Sequence, residues 1–229
     1  VSLGGAYCLR VATLLKANTT SDEHDPSVMR WLQRAADNGE PAALSEQLRY
    51  MLSWPEFYSH QVFMDKVANL MPKDPAVATF YRAEGDLEPL WYSLKPERAR
   101  RDLEILVEQG MTQALMALGS LYESGFLGEA DMERAIMYYT RAAEAGFAQG
   151  DAALSILYLY GRGVMRDPVK AYAHKEASKV LLPRTARDET REHLPLPESL
   201  LPAGKQAAQN LVEQRRRWLE EQFSVAMSF

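Results

Sequence analysis

The side chains able to do chemistry are few and scattered. His24, His60, His174 and His193 are the four histidines, and none stands three or four residues from another histidine or from a cysteine. A helical metal site needs that spacing, because only residues three or four apart share a face. Cys8 is the single cysteine, which leaves no mate for an intrachain disulfide or a thiolate cluster. No His-Glu-x-x-His, Gly-x-x-x-x-Gly-Lys or Gly-x-Ser-x-Gly string occurs. Gly161-Arg162-Gly163 has the outline of a phosphate loop but falls, as shown below, on a helix corner. Asp22-Glu23-His24-Asp25 offers oxygens to a cation, yet beside a helix start it reads as capping and solvation. Arg215-Arg216-Arg217 would reach phosphate only if aligned. Consecutive helical positions point apart, so a solvated face is expected, as it is for His174 beside Lys175. No catalytic, metal or cofactor site is therefore expected; a nucleophile–base pair brought together only in space is the remaining enzymatic alternative.

The aromatic residues are more informative. Trp91-Tyr92 lie in a stretch that carries Glu84, Asp86 and Glu88. Two readings are open: Trp91 folds back over a helix end, or the pair forms a rim anchor of the kind that dominates protein interfaces. Tyr50, Trp54, Phe57 and Tyr58 make a second group, for which core packing is the simpler reading. The candidate partner-binding residues are thus Trp91, Tyr92, Glu84, Asp86, Glu88, Tyr50, Trp54 and Tyr58.

The elements that must position these residues are written as a repeat. Ala114, Leu118, Gly119, Leu121, Tyr122, Gly125, Asp131, Ala135, Tyr139 and Ala142 return 36 positions later as Gly150, Leu154, Ser155, Leu157, Tyr158, Gly161, Asp167, Ala171, Lys175 and Ser178. A fixed period of this size signals stacked units, each burying its apolar face only against a neighbour. Within a unit the spacing is helical, and Ala142-Ala143 allow two helices to approach closely. Gly125 and Gly161 close the first helices, Gly110 and Gly146 the second, and Asp131 and Asp167 sit where second helices begin. Trp31 to Gly39 repeats Tyr138 to Gly146 position for position, so a degenerate unit occupies the N-terminal part, opened by Asp25-Pro26.

Between these, helices are expected over 2–15, 41–52, 56–71, 74–85 and 96–109. Trp54-Pro55 marks a corner, and four extra residues fall between Gly85 and Ala99. After Leu182 the repeat stops. Pro183, Pro195, Pro197 and Pro202 punctuate a charged connection, and a last amphipathic helix over 203–223 is expected to cap the array. Ile156, Leu159 and Tyr160 replace Ser120, Glu123 and Ser124 of the preceding copy, as if that helix covers them. The expected organisation is a repeat array over 1–182, with clean copies at 110–146 and 147–182, followed by a connection and cap over 183–229.

Leu121-Tyr122-x-x-Gly125, Asp131-x-x-x-Ala135, Tyr138-Tyr139-x-x-Ala142-Ala143-x-x-Gly146 and the second copy through Lys170-Ala171 resemble the Sel1-like repeat, a relative of the tetratricopeptide repeat. The resemblance implies an all-α, right-handed α-solenoid of stacked antiparallel helix pairs, about eleven helices here. It also implies protein binding. Sel1-like proteins serve as adaptors and assembly factors, and some resemble periplasmic immunity proteins that block phospholipase effectors delivered by type VI secretion.

Formal net charge is −5, which disfavours nucleic acid, and residues 1–94 hold 8 Lys/Arg against 12 Asp/Glu. An acidic N-terminal part suits a partner with a basic surface, such as a secreted effector enzyme. No apolar run is long enough to span a bilayer as a helix. The absence of disulfides fits a bacterial periplasm or a cytoplasm, and the start at Val1 fits signal removal or a trimmed end. Asn18-Thr19-Thr20 is a formal glycosylation sequon, relevant only in a eukaryotic secretory route. The expected function is protein–protein interaction, as effector inhibition or as a scaffold for envelope assembly, secretion or signalling.

Overall fold

The computed structural model describes residues 4–18, 24–181 and 198–226. Its architecture is all-α, a solenoid type of stacked helix hairpins with eleven α-helices among the described residues. They are α1 (Gly5–Asn18), α2 (Pro26–Asp37), α3 (Ala43–Ser53), α4 (His60–Leu70), α5 (Pro75–Leu87), α6 (Pro96–Glu108), α7 (Gln113–Ser124), α8 (Met132–Glu144), α9 (Ala148–Tyr160), α10 (Pro168–Leu181) and α11 (Leu201–Ala226). Short 3-10 turns occupy Pro55–Phe57, Pro89–Trp91 and Glu198–Leu200. The chain forms two compact units, Val1–Ile105 and Leu106–Phe229. Asp22, Glu23, Thr19, Thr20, His193 and the prolines at 183, 195 and 197 lie outside the described residues.

Helix starts follow local chemistry. Asp25 and Asp74 each precede a proline, and each carboxylate accepts an orphan backbone N–H, from Ser27 and Val77. Proline suits the first helical position because it has no N–H to leave unsatisfied. Asp167 does the same for Val169 and Lys170 ahead of Pro168. Gly125 and Gly161 end α7 and α9 at φ 73° and 69°, left-handed values that cost a residue with a Cβ. Both corners then close identically: Asp131 N donates to Tyr122 O and Asp167 N to Tyr158 O, each at 2.9 Å.

Several helix boundaries depart from expectation. The helix expected from Glu56 begins at His60, because Ser59 Oγ accepts from Val62 N and Pro55–Phe57 turn separately. The helix expected to end at Gly85 runs on to Leu87. Gly85 is there for close approach: a Cβ would lie 2.5 Å from the Phe63 ring. The opening helix starts at Gly5 and reaches Asn18.

In the first unit, Leu48, Met51, Phe63, Val67 and Leu70 form a core with Ala78 and Tyr81, while Ala12, Val28, Leu32 and Tyr50 form another. In the second unit Leu118 and Leu154 are both buried at their shared repeat position, as are Ala142 and Ala143. A Cβ on Gly150 would lie 2.5 Å from Ala143 N and 2.7 Å from Tyr139 O, so α8 and α9 touch backbone to backbone.

The repeat also carries its aromatic contacts in register. Tyr122 stacks on Tyr138 at 5.7 Å and Tyr158 on His174 at 5.6 Å, both with rings within 7° of parallel. Arg134 lies over Tyr122 and Lys170 over Tyr158 at 5.3 and 5.1 Å. Arg34 over Trp31 matches Arg141 over Tyr138 in the same way. His174 therefore fills a tyrosine's place and is not on a solvated face.

Arg215 corrects a second expectation. It is buried, and its guanidinium donates from Nε to Asp151 Oδ2 at 2.8 Å and from Nη2 to Oδ1 at 3.2 Å. His174 Nδ1 lies 2.9 Å from the same carboxylate. Burial works to raise the Asp151 pKa, but the hydrogen bonds from His174 and Arg215 outweigh it and the net shift is downward. Asp151 stands where the first copy has buried Leu115, so the last repeat exchanges an apolar contact for an ionic one that receives α11. Trp218 rests against Gly146, where an added Cβ would be 2.1 Å from the indole. With its C-terminal half at the start of α9, α11 leaves Ile156 and Tyr160 uncovered, 49% and 70% exposed, contrary to the covering role expected for it.

Candidate partner-binding site

Two proline-led 3-10 turns of the first unit meet and gather most of the aromatic residues singled out above. Trp91 Nε1 donates to Pro55 O at 3.0 Å and to Tyr58 O at 2.8 Å, tying the Pro89–Trp91 turn to the Pro55–Phe57 turn. Its ring packs 4.7 Å from Phe63 and 5.6 Å from His60. Trp91 is thus half-buried with its only donor satisfied internally, and it works as the peg that fixes the insertion.

Acidic residues anchor the same segment. Asp86 is fully buried and pairs with Arg98 through two bonds, at 2.5 and 2.6 Å. Its backbone carbonyl also accepts from Lys95 N, so both ends of the insertion are clamped. Asp86 therefore cannot meet a partner directly, because its carboxylate is spent on the loop. Glu88 caps the 3-10 turn through Leu90 N at 3.0 Å. Glu84 is half-buried, and burial together with the Glu88 charge pushes its carboxyl up to about 7. His60 Nε2 is buried with no hydrogen-bond partner, and burial, followed by the Lys95 charge, lowers its pKa.

What the anchored turn presents is apolar. Tyr92 is 93% exposed and takes φ 50°, ψ 27°, a left-handed conformation that a bulky side chain rarely adopts. Leu90, Leu94 and Phe57 are exposed as well. Leu90 and Leu94 have no marker in the sequence, and Phe57, for which core packing is the simpler sequence reading, is exposed instead. The available signal was the insertion itself, which has no counterpart in the clean repeats and so owes nothing to their packing.

The second aromatic group encloses a histidine. His24 stacks on Phe57 at 4.0 Å, with Trp54 and Tyr58 edge-on at 5.7 and 5.6 Å. Its Nε2 lies 2.9 Å from Tyr58 Oη, and burial, then Tyr50, pushes the Tyr58 hydroxyl up to about 12. Tyr50 is buried, its hydroxyl bridging the N–H and carbonyl of Asp25. Tyr50, Trp54 and Tyr58 therefore hold the start of α2, and of this group Phe57 is the most exposed. Among the described residues no three metal-ligating side chains cluster, and no helix is long and apolar enough to cross a membrane.

Residues 29–40, 112–147 and 148–174 match the Sel1 repeat family. The chain thus carries Sel1-like repeats over these stretches. The first of these matches falls on the degenerate unit around Trp31, which lacks the first-helix markers. Alginate biosynthesis protein AlgK of Pseudomonas syringae pv. tomato is 27% identical over 172 residues, 73% of this chain and 35% of that protein. AlgK of Azotobacter vinelandii is 44% identical over 55 residues, 24% of this chain and 12% of that protein. The chain thus spans about a third or less of the length of these relatives. Two solved structures share the fold. A protective antigen of uropathogenic Escherichia coli with an SLR fold has a TM-score of 0.55 at 18% identity, covering 96% of this chain and 48% of its own. A Sel1 repeat protein from Oxalobacter formigenes has a TM-score of 0.50 at 20% identity, covering 93% and 88%.

Proposed function

We propose that this Sel1-like chain is a protein-binding adaptor of the bacterial envelope and that the Leu90–Leu94 turn is a principal contact. The observation that carries this is Tyr92, held almost fully outside the protein by a backbone conformation that costs energy and serves no internal packing. The aromatic ring and its leucine neighbours supply the apolar anchors that dominate interfaces, and Trp91 preorganises them. Glu88 beside them and the acidic balance of residues 1–94 suit a partner with a basic surface.

The likeness to two alginate biosynthesis proteins favours assembly of an exported polysaccharide machinery, with the periplasm as the compartment. The acidic balance of residues 1–94 also suits effector inhibition, in which the same turn plugs the active site of a secreted phospholipase-type toxin. Neither role uses chemistry in this chain.

A photocrosslinking residue at position 92 in the native host tests the reading, with the exposed position 14 as control. One defined adduct at 92 and none at 14 is expected. An envelope-assembly component as the adduct supports scaffolding; a toxin whose lethality is relieved by co-expression supports inhibition. No adduct at 92, or the same smear at both positions, refutes the site.

A further inference from the structure

The two clean repeats are an internal control for what packing requires. Their corners share the left-handed glycine cap, Gly125 or Gly161, and the closing hydrogen bond to Tyr122 or Tyr158, while the second left-handed glycine falls one position apart, at Gly128 in the first copy and Gly163 in the second. The side chains differ. Where the first copy has exposed Ser120, Ser124, Glu129 and Ala130, the second has Ile156, Tyr160, Met165 and Arg166. Ile156, Tyr160 and Met165 are 49%, 70% and 89% exposed. The first copy shows that the fold is content with serine, glutamate and alanine there, so the apolar replacements answer to something outside the unit.

Their charged surroundings indicate what that is. Arg166 is exposed, with Nε committed to Leu159 O at 3.0 Å and the rest of the guanidinium outward. Arg162 is half in solvent and pairs with Glu123 at 2.9 Å. Lys170 is exposed over Tyr158. Among the acids at this corner Glu123 is paired with Arg162 and Asp167 caps α10, while Gly163 packs on Met132 between Asp131 and Glu133 of α8. The first-copy corner carries no arginine at the matching positions, which are Phe126 and Ala130. Tyrosine, methionine and arginine are the types enriched at interface cores, and arginine recognises carboxylates through a fixed fork of donors.

We infer that the α9–α10 corner is a second docking surface, which takes an acidic protein segment carrying apolar anchors: the anchors meet Ile156, Tyr160 and Met165, and the carboxylates meet Arg162 and Arg166. It shares with the preceding reading only the premise that the chain binds proteins. Its charge preference is opposite to that of the Tyr92 turn, so the two surfaces select different partners.

The test uses two fluorescent synthetic peptides with the same leucine and tryptophan positions, one interleaved with glutamate and the other with lysine. Binding to the full chain is followed by anisotropy. A quadruple variant, Ile156→Ser, Tyr160→Ser, Met165→Glu and Arg166→Ala, installs the first copy's own residues at these exposed positions, and circular dichroism checks that the fold is kept. The glutamate peptide is expected to bind, to weaken as salt rises, and to lose at least about tenfold in affinity on the variant. Tyr92→Ala with Leu90→Ala leaves that binding unchanged, which separates this surface from the other. Equal binding of both peptides, no binding at the highest soluble concentration, or full binding to the variant overturns the inference. So does slow oxidation of Met165 in the free protein, which would mean that the corner is not open to a partner. A concentration-dependent dimer abolished by the variant assigns the face to a second copy and also overturns it.

Discussion

Replacing Arg215 with alanine isolates the contact that joins the last helix to the repeats. Asp151 is fully buried and accepts two bonds from Arg215 and one from His174. Without the guanidinium, a buried carboxylate keeps a single partner, a situation that costs about 3–5 kcal/mol. In the native protein the Asp151 pKa is lowered, so its stabilisation is present above the ordinary carboxylate range and is lost as pH falls through the lowered value. In Arg215→Ala burial raises that pKa instead, so the penalty is largest near neutral pH and shrinks on acidification. The partnered variant Asp151→Leu/Arg215→Met returns the position to the leucine used by the first copy. It is expected within about 1 kcal/mol of wild type, because exchanging a buried ion pair for well-packed apolar groups is often neutral or better. Urea titration followed by helical circular dichroism reads both effects. A cost for Arg215→Ala below about 1 kcal/mol at neutral pH, or a double variant as unstable as the single one, refutes the buried-latch assignment.

Glu84→Gln should remove a pH dependence. A carboxyl raised to about 7 contributes stability below its unfolded value and loses it as pH rises through the folded one. Wild type is therefore expected to be less stable at pH 8.5 than at pH 5.5 by on the order of 1–3 kcal/mol, and the variant nearly flat; equal slopes in urea melts would rule this out. Gly150→Ala forces α9 away from the backbone of Ala143 and is expected to cost about 1–3 kcal/mol in thermal or chemical unfolding. Tyr92→Asn relieves a left-handed residue without losing internal contacts. It should stabilise the chain by about 0.5–1 kcal/mol while weakening partner binding; a loss of stability would show that the ring packs internally.

The repeat was legible because each unit is a local object. Period, corner glycines, Asp-Pro starts and small residues at close approaches all lie within 36 positions of their copies. Trp31 to Gly39 could be aligned for the same reason. The start of α4 was missed because Trp54-Pro55 outweighed the weaker Ser59 cap, although Ser59 and Val62 have the spacing of an N-terminal cap. Arg215 and Asp151 are 64 positions apart and belong to different kinds of element, so no periodicity links them. Burial of one arginine from a run of three depends on which face of α11 meets α10, which a helical pattern alone leaves open. Glu84, Asp86 and Glu88 were read together as an acidic surface. Their alternation along a helix end and turn hides three fates: half-buried, fully buried and capping. The His24 enclosure is unreadable from spacing because its four aromatic neighbours come from α3 and the turn that follows it, beyond the whole of α2.

The most direct measurement is the affinity of the partner captured through position 92, compared between wild type and Tyr92→Ala. At least a tenfold loss, about 1.4 kcal/mol, with an unchanged melting midpoint is expected of an anchor that the fold does not need. An unchanged affinity would mean that this exposed, strained tyrosine is not what the chain holds out to another protein.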